Sequence, residues 1–153
     1  MSMDEDTSLA EQCAKEMYSR DVAVIALGIV IDEVRTGFSR ARMRVRADML
    51  NGHAICHGGL VFTLADTAFA YACNTHGFVT VASGAGIEFL LPSHEDDELV
   101  AEAQEKFRGR RSGVYDITVR NQRGETVALF RGRSHQSNER IVSSRDAGSG
   151  AGS

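Results

Sequence analysis

Residues 60–75 contain neither glycine nor proline, and they are apolar almost all round: Leu60, Val61, Phe62, Leu64, Ala65, Ala68, Phe69, Ala70, Tyr71, Ala72 and Cys73. Gly58-Gly59 precedes the run, and Asn74 to Gly77 reads as a C-terminal stop. A helix with no polar face must be covered by other structure on every side. The fold therefore has to supply a wrapping, and the rest of the chain is read for it.

That wrapping reads as strands. From Phe38 the chain alternates, with Ala41, Met43 and Val45 on one side and Arg40, Arg42, Arg44 and Arg46 on the other. The arginine stripe is expected to be a solvated face, since no aromatic residues interleave with it to stack on bases. The apolar run from Val22 to Val34 is broken at Gly28, and a strand is expected to start near Leu27. Further strands are expected over residues 79–91, 98–108, 114–120 and 126–135, with Asn121-Gln122-Arg123-Gly124 as a hairpin turn. Ser8-Leu9-Ala10-Glu11 matches a capping box ahead of Ala10, Cys13, Ala14 and Met17 at helical spacing, which predicts a helix over 9–19 with frayed residues before it. Beyond Ile141 the glycine- and serine-rich tail is expected to be disordered. The architecture implied is α+β: one wrapped helix and a sheet of five or six antiparallel strands forming one domain over residues 1–140. An open sheet edge or face calls for a partner chain, so a homo-oligomer is expected.

Composition narrows the function classes. The 153 residues are 42% apolar and 25% charged, as in ordinary globular proteins, and no run approaches the ~18 apolar residues of a membrane span. The formal net charge of -4 gives no global attraction to nucleic acid or anionic membranes. Three well-spread cysteines suit free thiols in a reducing compartment, and the acidic N-terminus is unlike a leader peptide, so a cytoplasmic location is expected. The cations are 15 arginines and 2 lysines, which suits anion recognition or simply biased codon usage.

Two features can do chemistry. Asp66 interrupts the apolar helix, and a buried carboxylate is costly unless it is paired or functional. It either bonds a neighbouring hydroxyl or amide to position the helix, or serves as nucleophile or general base in a low-polarity cleft. His57-Gly58-Gly59 opens the same helix. The free amides there can bind an oxyanion, or the segment is a plain turn into the helix. Gly58 and Asp66 are eight residues apart, about 12 Å along one helix, so one carbonyl carbon cannot meet both from the same chain. If both act on one bond, they belong to different chains of a homodimer. His53, Cys56 and His57 lack the partners of a metal site, and no metal is expected. Arg108, Arg110 and Arg111 form a basic loop that either holds an anionic tail or is merely solvated. Ser83-Gly84-Ala85-Gly86 suggests a bulge or close strand packing.

The segment NGHAICHGGLVFTLADTAFAYACN, with VASGAGIEFLLP, SGVYDITVRNQ and TVALFRGRSH after it, closely resembles the phenylacetate-degradation (PaaI-type) branch of hotdog-fold acyl-CoA thioesterases. The resemblance covers about residues 20–136. It implies a hotdog fold assembled as dimers that pair into tetramers. It also implies metal-free hydrolysis of an acyl-CoA thioester, phenylacetyl-CoA or its ring-hydroxylated relatives being favoured. No cofactor is then needed, since CoA is part of the substrate. Carried over by motif, Asp66 is the catalytic carboxylate and the Gly58 amide polarises the carbonyl. His57 and Asn51 orient the site, and Ser83 bonds near the attacking group. Gly59 and the loop arginines Arg108, Arg110 and Arg111 are expected, on their own chemistry, to contact substrate or CoA. The alternatives are a hotdog dehydratase or hydratase pairing a histidine with the carboxylate, and a non-catalytic acyl-CoA-binding regulator.

Overall fold

The computed structural model describes residues 3–142. The elements in chain order are helix α1 (Met3–Tyr18), short helix α2 (Val22–Ala26), β1 (Val30–Arg35), β2 (Phe38–Arg44), helix α3 (Gly58–Cys73), β3 (Phe78–Phe89), β4 (Glu98–Arg108), β5 (Ser112–Arg120) and β6 (Thr126–Arg140). A 3-10 turn lies between β2 and α3. All strand pairs are antiparallel in one six-stranded sheet of order β1-β2-β4-β5-β6-β3. β3 is thus not a neighbour of β4. The chain leaves β2, runs through α3, and lays β3 on the far side of β6, which leaves one long edge of β3 unpaired among the described residues.

α3 lies across this sheet as the hotdog arrangement requires, burying Val61, Leu64, Ala65, Ala68, Phe69 and Ala72 against Ala41, Met43, Leu99, Ala101, Ile117 and Val119. Ser39 Oγ donates to the Ala68 carbonyl at 2.5 Å, tying β2 to the helix. At the helix end, Asn74 Nδ2 donates to the carbonyls of Ala70 and Thr80, and its Oδ1 accepts the Thr80 N–H. One amide side chain thereby ends α3 and starts β3. The expected full wrapping is incomplete, however. Gly59, Thr63, Asp66 and Ala70 form a stripe along α3 that is not fully covered.

Two expectations near the N-terminus are corrected. α1 already runs through Ser8, so Ser8 is not its cap, and residues 3–7 are helical where fraying was expected. The apolar run after Asp21 holds α2, and the strand begins at Val30 instead of Leu27. Gly28 at φ 71 explains the delay. Its N–H donates to the Ile25 carbonyl and that of Ile29 to Val24, both at 3.0 Å, which closes a Schellman motif and uses up three residues. The arginine stripe of β2 is solvated as expected, with Arg40, Arg42 and Arg44 paired to Glu33, Asp32 and Asp96. The disordered-tail expectation falls mostly on residues 143–153, outside the described residues.

A polar cluster locks the α3–β3 corner to β4 and β5. Glu105 Oε1 accepts from Tyr115 Oη at 2.6 Å and lies 2.7 Å from His76 Nε2. Burial raises the Glu105 carboxyl, but the hydrogen bonds from Tyr115 and His76 outweigh it and hold the group below its ordinary value. A depressed folded-state value stabilises above the unfolded value and is lost as pH falls through the folded one. Glu105→Gln is therefore expected to lower stability at neutral pH and to flatten its acid dependence below the ordinary carboxylate range, as measured by urea midpoints against pH.

Candidate active site

The start of α3 is built by its own flanks. His57 takes an extended conformation (φ -59, ψ 131), and its Nδ1 accepts the Gly59 N–H at 3.2 Å. The His57 N–H donates to Met49 and the Cys56 N–H to Ser93, each at 2.8 Å, so the turn is tethered on both sides. Among the described residues the Gly58 N–H has no partner. The imidazole thus satisfies one of the two glycine amides and leaves the other open. Asn51 Oδ1 accepts the N–H groups of His53 and Ile55, bracing the loop in which Ala54 sits at φ 60. Gly58 and Asn51 share a cavity of about 310 Å³ with Val61, Phe89, Leu91 and Ser93.

Asp66 lies two turns further along α3, in a different cavity of about 530 Å³. Around it are Met17, Phe69, Ala70, Val79, Val81 and Ile141. Among the described residues its carboxylate makes no hydrogen bond and no ion pair, so the helix-positioning alternative lacks a partner group. Burial without compensation raises its pKa from the ordinary aspartate value. The carboxylate and the open amide line separate cavities of one chain, as the helix spacing requires.

The remaining candidates divide between these two ends. Ser83 stands mid-way along β3 at a bulge between Ala82 and Gly84, with its Oγ donating to the Arg133 carbonyl at 3.1 Å. Arg108 and Arg111 hydrogen-bond Gln136 and Asn138 on β6 and flank a crevice with Cys73 and Thr80, which also line the Asp66 cavity. Arg110 is exposed, and its side chain makes no hydrogen bond or ion pair among the described residues. Burial pushes the Cys73 thiol up to about 12 and raises that of Cys56, which suits core sulfur and not a nucleophile. No group of three or more His, Cys, Asp or Glu able to hold a metal occurs among the described residues. Sequence reasoning missed Met17 and Ile141 as walls of the Asp66 cavity. The only signal for Met17 was its place on the apolar face of α1.

Residues 53–128 match the thioesterase superfamily. The chain is 53% identical over 127 residues to the acyl-coenzyme A thioesterase PaaI of Escherichia coli, covering 83% of this chain and 91% of that protein. The solved structure of E. coli PaaI, from the phenylacetic acid degradation operon, superposes with a TM-score of 0.87 at 49% identity, over 91% of this chain and 99% of that one. The Streptococcus mutans protein smu.793 bound to acetyl-CoA gives a TM-score of 0.71 at 26% identity, over 73% and 90% of the two chains. Identity at this level over nearly the whole length, on the same helix-and-sheet arrangement, shows the family: the chain belongs to the PaaI-type acyl-CoA thioesterases of the thioesterase superfamily.

Proposed function

We propose that this enzyme hydrolyses arylacetyl-CoA thioesters, phenylacetyl-CoA and its ring-hydroxylated relatives foremost, to free acid and CoA at a site shared by two chains. The observation that carries this reading is the unpartnered Asp66 carboxylate in a half-open cavity, about 12 Å of helix from the unpartnered Gly58 amide. Two copies joined by the free edges of β3 about a two-fold axis would run antiparallel. β3 passes alongside α3, with Val79 to Ala82 at the Asp66 cavity and Phe89 against Gly58, so the two helices would also be antiparallel. The Gly58 end of one chain then approaches the Asp66 of the other. The half-open stripe of α3 would be covered by the same contact.

In this mechanism the Gly58 N–H donates a hydrogen bond to the thioester oxygen as negative charge develops on it. Asp66 either attacks the carbonyl carbon, giving an anhydride that water then cleaves, or removes a proton from the attacking water. In both routes the bond to sulfur breaks and CoA leaves as thiol. Its raised pKa makes Asp66 a stronger base than a solvated aspartate. His57 holds Gly59 and so fixes the turn that presents Gly58, and Asn51 braces the loop before it. Ser83 at the strand edge is positioned near the chain junction, and Arg108, Arg110 and Arg111 supply cations for the nucleotide end of CoA. The bound acetyl-CoA of the S. mutans relative supports a CoA site on this fold. Further pairing into a tetramer and a cytoplasmic location, suited to the three free thiols, complete the reading.

Gly58→Pro tests the shared site. Proline is tolerated at the first helical residue and replaces the N–H by a ring carbon, and the preceding ψ of 131 already suits it. A Cβ there meets the exposed Phe89 ring at 3.2 Å, which can yield by a few tenths of an ångström. The variant is expected to lose about 10²–10³-fold in kcat. Mixed with Asp66→Asn and reassorted, it should recover about a quarter of wild-type activity, since half of random dimers then hold one intact site. Activity that stays at the level of the two parents would contradict the shared site.

A further inference from the structure

The Asp66 cavity is closed by two segments that lie outside the stretch matched by the family, residues 53–128: the last turn of α1 and the end of β6. Both hang on one corner. Gly77, at φ 97, accepts the Ile141 N–H on its carbonyl at 2.9 Å, and a Cβ at Gly77 would stand 3.6 Å from a Leu9 methyl. Ala10 and Cys13 bury the inner face of α1, and Met17 continues that face one turn on, into the cavity. Phe69 also lines the cavity, its buried ring packed at a tilt on Tyr115 and Phe130. Val79 and Val81 make the side wall. Four charged side chains besides Asp66 line the cavity: Glu16 and Arg20 pair with each other at 3.3 Å, while Arg140 lies over the Phe78 ring and Glu139 is exposed, so their charges sum to zero and do not ask for an ionic acyl group.

We infer that Met17 caps the acyl end of this cavity and sets how bulky an uncharged, apolar acyl group can be while its carbonyl still reaches Asp66. The inference rests on thioester chemistry at that carboxylate. A flexible thioether in a cavity it shares with Phe69, Val79 and Val81 accepts a flat ring and resists a longer one, because filling or emptying a few methylene volumes in an apolar pocket changes kcat/KM by about 10–200-fold.

The test compares thiol release from acetyl-CoA, phenylacetyl-CoA and 4-phenylbutanoyl-CoA by wild type, Met17→Ala and Met17→Phe. Ratios between substrates are read, because general damage to the fold cancels in them. Met17→Ala is expected to raise the 4-phenylbutanoyl over phenylacetyl ratio about tenfold, and Met17→Phe to lower the phenylacetyl over acetyl ratio about tenfold. Ratios that stay at wild-type values in both variants overturn the inference. The same three thioesters are then titrated by calorimetry onto Asp66→Asn carrying each residue at position 17. If wild type released no thiol but the binding preference followed residue 17, the cap would stand and hydrolysis at Asp66 would fall. If thiol release proceeded and neither ratio nor binding moved, the cap would fall and hydrolysis would stand.

Discussion

Asp66→Asn is expected to lower kcat for phenylacetyl-CoA by about 10²–10⁴-fold, the range over which a positioned acid–base group contributes, and more if the carboxylate is the nucleophile. KM should move little, because the amide keeps the shape of the carboxylate. Folding should move the other way. A carboxyl group whose folded-state value is raised binds its proton more tightly in the native state. Its contribution to stability therefore falls as pH rises from the unfolded value through the folded one. With no partner and a raised pKa, the half-buried carboxyl group costs stability once pH exceeds the ordinary aspartate value, and asparagine removes that cost. The variant should thus melt above wild type at neutral pH and lose this advantage in acid. Parallel thermal melts at the two pH values check it, and a variant less stable than wild type at neutral pH would mean that the carboxylate has a stabilising partner. The rate of the wild-type enzyme should itself rise with pH as Asp66 ionises, with a midpoint above the ordinary aspartate value.

Gly132→Ala is expected to be the most damaging small substitution in the sheet. A Cβ there would lie 2.7 to 2.8 Å from three atoms of the Phe69 ring, closer than carbon atoms approach. The ring cannot retreat, because it is buried and held by Tyr115 and Phe130. Overpacking of this kind costs about 1–3 kcal/mol, and each kcal/mol lowers the Tm of a chain this size by about 2–4 °C. Phe69 also lines the Asp66 cavity, so phenylacetyl-CoA turnover should drop along with stability. Phe69→Leu in the Gly132→Ala background makes room for the methyl group and should restore part of the Tm. A double variant no more stable than Gly132→Ala alone would show that the strain lies elsewhere.

Most of the strand content was legible from local pattern, because alternation along Phe38–Arg44 and the Asn121–Gly124 turn each specify their own conformation. The order of the strands was not. Nothing local says that β3 crosses to pair with β6, and that choice follows from the length of α3 carrying the chain across the sheet. α2 was hidden because the β-branched Val22, Val24 and Ile25 favour a strand by side-chain type. The left-handed Gly28 and its two closing hydrogen bonds decide for helix instead. Within the site, Asp66 and His57-Gly58-Gly59 stood out in the sequence as local anomalies. Met17, Ile141 and Gly132 did not, since each is ordinary for its own element and matters only for what packs against it.

The chain's pattern of side chains alone determined that an apolar helix must be covered by a sheet. It also determined that the acid and the helix-start amide on it are too far apart to act together in one copy. Both follow from periodicity and from the fixed rise of a helix, which depend on no distant residue. Tertiary structure decided that the carboxylate has no partner, what packs against the Gly58 turn, and which stripe of the helix is left half-open. Those outcomes depend on groups far apart in sequence meeting in space: Gly77 with Leu9 and Ile141, Gly132 with Phe69, and Phe89 with Gly58.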